Sequence, residues 1–376
     1  IASSYSGNTE ETLSSLEHLC ELSRMSLGER YSEENNINLP IETAFRCIGK
    51  EDFWIQKMRE EISKVDDIRR KITRLSANKL LSNFTIEVYS IKELLDTIIE
   101  VIIHFDGNSN VLFDNYDFIL KNTQNLNQIV SEFEQVFSTY SFSSDISKND
   151  IRTIENELLS ILMSVQAFNK YLETPAFKAG KEKVLLVTGE AGSGKSHLLC
   201  DVSIRRLKQK LPTIFLLGQH YNGVNPIQFI GERLGFENVS PLEILSAINS
   251  LGETYNSRVL IIIDALNEGT YRNLWSDFII DFLHQCEKYE FIAIVLSCRD
   301  TYLDYILPKN VLNKLPLIIH EGFKGTQSTA ARKYLENNNI KAPNTPFLSQ
   351  EFTNPLFLKI VCQSMKNNKI REFPKG

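Results

Sequence analysis

The residues best placed to do chemistry begin at Gly189. "GEAGSGKS", Gly189 to Ser196, fits the spacing G-x-x-x-x-G-K-[ST] in full, directly after an apolar run and before a helical pattern. Each position has a physical use. Gly189, Glu190, Ala191, Gly192, Ser193 and Gly194 form a loop whose glycines let backbone amides turn inward around phosphate oxygens. The following helix offers its positive N-terminal end, with His197 in the first turn. Lys195 can reach the β- and γ-phosphates as a point charge, and Ser196 can offer a hydroxyl to Mg²⁺. The alternative, an ordinary Gly-rich turn, has no use for this strand–loop–helix context.

A second set of residues completes a nucleotide site. "VLIIIDALNEG" (259–269) is a branched apolar run ending in Asp264, with Glu268 four positions later. An acid at the C-terminal tip of a buried strand lies where ligands of open α/β sheets bind, and it can hold Mg²⁺ there. Glu268 can accept a proton from the attacking water or orient it. Ala265 is small and leaves room for phosphates. The next apolar run ends in "SCRD", so Arg299 stands at the tip of a strand that could lie between those of the phosphate loop and Asp264. A guanidinium there can sense the γ-phosphate. The competing readings are solvated loop acids and a surface salt bridge. In "NPLFLKIVC", Pro355 reads by spacing alone as a helix-start proline.

The elements that must position these residues change character along the chain. Residues 51–175 read as a polar helical linker or bundle: Met58, Ile62, Val65, Ile68, Ile72 and Leu75 form one stripe, and 91–105 and 151–172 are similar. Breaks fall at 105–110 and 141–150. Residues 176–325 alternate short apolar runs (184–188, 213–218, 259–264, 291–297, 317–319) with helical patterns, which implies a parallel α/β sheet. Residues 326–376 turn helical again, as a lid. The expected fold is therefore an α/β P-loop NTPase, preceded by a mostly helical segment and followed by helices. Residues 1–50 are mixed, and "SYSGNTEETL" (4–13) resembles the phosphosugar loop of sugar isomerase domains. Ser4, Ser6 and Thr9 would be its phosphate ligands, against the simpler reading of a Ser/Thr-capped helix start.

Composition excludes several classes. The 376 residues carry a net charge of −6, with 42% hydrophobic and 23% charged residues, ordinary for a soluble protein of two or three domains. The acidic balance argues against non-specific nucleic-acid binding. No run reaches the ~18 apolar residues of a membrane span. The six cysteines and six histidines are scattered without metal-ligand or redox spacing.

Taken together, "GEAGSGKSHLL", "IIIDALNEG", "LSCRDTY" and "EFTNPLFLKIVC" resemble STAND NTPases of the NACHT-like (ASCE-type) branch, above all bacterial antiviral STAND proteins of the AVAST (Avs) systems. "GERYSEENNINLPI" (28–41) resembles a segment that precedes the NTPase in that group. The resemblance covers roughly residues 20–50 and 170–376. It implies a cytoplasmic, multidomain protein that uses ATP and Mg²⁺. An N-terminal effector and a C-terminal sensor for a phage protein would flank the NTPase, and recognition would drive homo-oligomerisation. By match, Lys195 and Ser196 bind phosphate and Mg²⁺, Asp264 the Mg²⁺ and Glu268 the water. Arg299 is the sensor, Pro355 packs near the adenine, and Arg30 and Tyr31 close the site. The sequence departs from the family at Asn267, where relatives carry an acid; this bears on hydrolysis rate more than on binding. The expectation is an ATP switch within a piece of a longer protein. The alternatives are a constitutive motor or loader on nucleic acid, and a phosphosugar-binding protein.

Overall fold

Apolar runs without polar alternation suit strands covered on both faces, and five such runs form one parallel sheet. The computed structural model describes residues 9–105, 109–142, 146–269 and 274–373. Helices α1 (Thr9–Leu27) and α2 (Glu42–Ile48) come first. They are followed by α3 (Asp52–Ser76), α4 (Thr85–Ile102), α5 (Ser109–Asp114), α6 (Tyr116–Thr139), α7 (Lys148–Leu172) and α8 (Pro175–Glu182). Strand β1 (Val184–Thr188) leads into α9 (Lys195–Lys208), then β2 (Thr213–Leu217), α10 (Pro226–Arg233) and α11 (Pro241–Thr254). Next come β3 (Val259–Asp264), α12 (Ile279–Glu287), β4 (Ile292–Ser297), α13 (Leu303–Ile306), α14 (Lys309–Leu312) and β5 (Leu317–Ile319). The last two helices are α15 (Gln327–Asn337) and α16 (Pro355–Asn367).

The chain divides into two compact units, residues 1–49 with 182–376, and residues 50–181. In the first, all strand pairings are parallel and the order is β2-β3-β4-β1-β5. This is an α/β P-loop NTPase fold. The strand carrying Arg299 does lie between β1 and β3, which puts the three chemical tips side by side. Every residue of β1 to β4 is buried, which is why these strands read as unbroken apolar runs. Edge strand β5 is only partly buried.

Helix α1 belongs to this unit. Leu13, Leu16, Leu19, Cys20 and Leu27 are buried, and the helix packs on β2 and α9. The Ser23 hydroxyl donates to the Phe215 carbonyl at 2.8 Å, across 192 positions of sequence. Of the phosphosugar reading of 4–13, Ser4 and Ser6 lie outside the described residues, and Thr9 opens α1. After β5, helices α15 and α16 close a small core of Phe323, Tyr334, Leu335, Leu358 and Met365, onto which Ile37 and Leu39 also pack. The chain between α1 and α2 thus runs as a strap from the α/β core to this helical lid.

Residues 50–181 form a helical bundle. Buried positions alternate spacings of three and four: Val88, Ile91, Leu95, Ile98, Ile102 on α4, and Ile154, Leu158, Ile161, Val165, Phe168, Leu172 on α7. That is the heptad pattern of four-helix packing. Neighbours run α3–α4–α6–α7 and back to α3. Trp54, outside the expected stripe, is buried with it, while Ile62 is only half-buried. The breaks expected at 105–110 and 141–150 lie partly outside the described residues, and Ser109 and Asn110 open α5.

Among the described residues, no helix is long and apolar enough to cross a membrane.

Candidate functional site

The loop between β1 and α9 takes its shape from backbone that tolerates no side chain. Gly189 has φ +150°, and a Cβ there would lie 2.5 Å from the His320 carbonyl oxygen. Gly194 has φ +94°, and its Cβ would stand 3.2 Å from Cγ of Pro355. The loop is therefore held between the end of β5 and the first turn of α16. Lys195 folds back over it, donating to the carbonyls of Gly189 at 2.7 Å and Glu190 at 2.9 Å. Burial lowers the proton affinity of Lys195, and the Asp264 carboxylate opposes that shift. The Glu190 side chain itself is exposed.

Asp264 is 1% exposed at the tip of β3. Its Oδ1 accepts from the Ser297 hydroxyl at 2.5 Å, and that hydroxyl accepts from the Ala265 amide at 2.8 Å. Its Oδ2 is buried with no hydrogen-bond partner. Desolvation raises the carboxyl above its ordinary range, against the pull of the neighbouring Ser196 and Ser297 hydroxyls. An orphaned carboxylate oxygen beside a serine hydroxyl is an oxygen donor set that fits Mg²⁺, which takes one or two carboxylates and completes its shell with phosphates and water. Among the described residues, no group of three or more His, Cys, Asp or Glu is placed to hold a metal.

Ala265 turns the chain out of β3 in a left-handed conformation, φ +56° and ψ +60°. Its carbonyl accepts from the Glu268 amide at 2.9 Å, which closes a tight turn and brings Glu268 back over the strand tips. There Glu268 meets two guanidinium groups: Arg30 Nη1 on Oε2 at 2.9 Å and Arg299 Nη2 on Oε1 at 3.3 Å. Arg30 also donates to Gln219 Oε1 at 3.3 Å. Asn267 accepts from the Arg299 amide at 3.1 Å, which helps fix the backbone at the base of Arg299.

The strap forms another wall. His197 Nε2 is 2.9 Å from the Ser32 carbonyl, and its ring lies 4.9 Å from that of Tyr31. Asn36 bonds the Asp201 carboxylate of α9 through its amide. On the lid side, Lys359 donates to the Glu29 carbonyl at 2.8 Å and carboxylate at 3.0 Å, and Asn337 donates to the Glu34 carbonyl at 2.7 Å. Loop, strand tips, strap and lid enclose one cavity of about 640 Å³ that Arg30, Lys195, Ser196, Asp264, Arg299 and Pro355 all line. That volume is within the range of small-molecule sites.

Most expected site residues thus meet at one cavity. His197 reaches it too, though its ring nitrogen is engaged by the strap. Sequence reasoning missed Ser297 and His320. Ser297 is the penultimate residue before the singled-out Arg299, and a hydroxyl at a buried strand tip is a signal in hindsight. His320 follows β5, donates its amide to the Thr188 carbonyl at 2.7 Å, and is pushed down to about 4 by burial and then by Lys195. It carried no spacing that could have marked it.

No family model matches the chain, and no curated protein matches it. Among solved structures, it is similar to Cdc6p from Pyrobaculum aerophilum at 15% identity and a TM-score of 0.31, over 50% of this chain and 57% of that one. This chain therefore spans little more than half of that protein, and the likeness carries no argument about activity.

Proposed function

We propose that the chain is the ATP-binding switch module of a bacterial antiviral STAND protein, one that oligomerises when ATP·Mg²⁺ occupies the cavity. The observation that carries the nucleotide reading is the cavity itself: Lys195, Ser196, Asp264, Glu268 and Arg299 converge on it from three adjacent strand tips. The antiviral role, a flanking effector and a sensor for a phage protein rest on the sequence motifs. Lys195 and the loop amides would bind the β- and γ-phosphates. Ser196 and Asp264 would hold Mg²⁺, which when bound neutralises phosphate charge. Arg299 would read the γ-phosphate. In hydrolysis, water attacks the γ-phosphorus, the bond to the ADP oxygen breaks, and Glu268 takes the water's proton. Pro355, at the start of the lid, stands against the loop at Gly194, so loop and lid would respond together. Switching requires the two states to differ in affinity for ATP, not merely tight binding.

The test is light scattering of the chain with Mg·ATP beside Lys195→Ala, with ADP release measured in parallel. The reading expects ATP-dependent growth in mass, lost in Lys195→Ala, and turnover below about one per minute, far under the ~10 s⁻¹ of typical enzymes. Turnover of several per second, stimulated by nucleic acid and without a change in mass, would make the chain a motor instead.

A further inference from the structure

Both oxygens of Glu268 are occupied by guanidinium groups, from Arg30 and from Arg299. A carboxylate paired on both sides is a poor proton acceptor, because a charged partner must leave before water can approach. One of the two partners is not part of the α/β core. Arg30 ends the short turn Gly28–Arg30 that opens the strap, and Glu29 beside it holds Lys359 of the lid. The Arg30 and Arg299 side chains are 43% and 41% exposed, so each pair is open to competition by another anion. Gln219 steadies Arg30 from its other edge as a neutral acceptor.

We propose that Arg30 is a positioning residue whose guanidinium is shared between Glu268 and the terminal phosphate of the nucleotide, so that Glu268 is withheld from the attacking water for part of the time even with ATP bound. The inference rests on the nucleotide reading of the cavity. Arg30 lines the same cavity as Lys195, and a guanidinium matches phosphate oxygens as well as it matches a carboxylate. Capture of the phosphate and release of the base then become one event. Because Glu29 is the next residue, the same event pulls on the contact with α16, and the lid registers which nucleotide is bound.

The experiment compares wild type, Arg30→Gln, Arg30→Met, Glu268→Gln and the Arg30→Gln/Glu268→Gln double variant. It measures ADP release at saturating Mg·ATP, and binding of a fluorescent ATP analogue. Freeing Glu268 from an exposed ion pair should raise kcat about two- to five-fold in both Arg30 variants, whatever happens to affinity. The rise must vanish in the double variant, which a merely structural role for Arg30 would not produce. An unchanged or lower kcat in Arg30→Gln and Arg30→Met overturns the inference, as does a rise that survives without Glu268. If wild type binds no analogue, the nucleotide reading fails with it; if it binds and kcat does not rise, only the inference fails.

Discussion

Asp264→Asn should stabilise the empty protein while disabling it. The wild-type carboxylate is fully buried, holds one bond to Ser297 and leaves Oδ2 without a partner. A buried unpaired acceptor costs about 1–3 kcal/mol. Asparagine keeps the acceptor for Ser297 and turns the orphan into a donor that the Ser196 hydroxyl can accept. For a unit of this size about 1–3 kcal/mol corresponds to a rise in Tm of roughly 2–10 °C. The sign is fixed by burial, which raises the folded carboxyl above its unfolded value of 3.8. The folded chain therefore binds this proton more tightly than the unfolded chain. The penalty grows as pH rises from the unfolded value towards the folded one, so the advantage of asparagine should be larger at pH 7.5 and fade as pH falls towards 4. Thermal unfolding in EDTA at both pH values reads this directly. With Mg·ATP at a hundred times Kd the wild type should gain about 2.7 kcal/mol and the variant far less, so the order of the two curves reverses. An Asp264→Asn protein no more stable than wild type in EDTA would refute the account of Asp264 as a strained metal-site acid.

Gly194→Ala should weaken nucleotide binding and lower stability by about 1–2 kcal/mol, the cost of a side chain at positive φ, with crowding against Pro355 added; calorimetry checks both. Ser23→Ala leaves the Phe215 carbonyl without its partner and should cost about 1–2 kcal/mol in urea unfolding without changing the slope. All six cysteines are buried, so a thiol reagent at pH 8 should label none of them within minutes and all six in denaturant. Rapid labelling of the native chain would contradict the described packing.

The strands were legible because a parallel sheet leaves no polar face: runs at 184–188, 259–264 and 317–319 match β1, β3 and β5 residue for residue. The position of Arg299 between the loop and Asp264 followed from the chemistry those tips must share. Helix α1 was not legible as part of the same unit. Its partners lie some 190 positions away, and no local pattern records a contact at that distance. The strap was marked only by resemblance, since Tyr31, Ser32 and Asn36 act through single polar contacts without any period. The pairing of Arg30 with Glu268, 238 positions apart, is equally silent in the sequence.

The α/β unit is discontinuous, with residues 50–181 set between its two parts. For a chain made from its N-terminus, α1 and the strap emerge long before anything they pack against. At about 5–20 residues per second, Ser23 waits roughly 10–40 s for Phe215. The helical unit, rich in local contacts, can form within that interval. Synthesis thus sets an order: the leading segment must stay uncommitted, with its leucine stripe open to chaperones, while the inserted bundle is already settled. The cavity becomes complete only when the lid helix α16, which lines it, has left the ribosome.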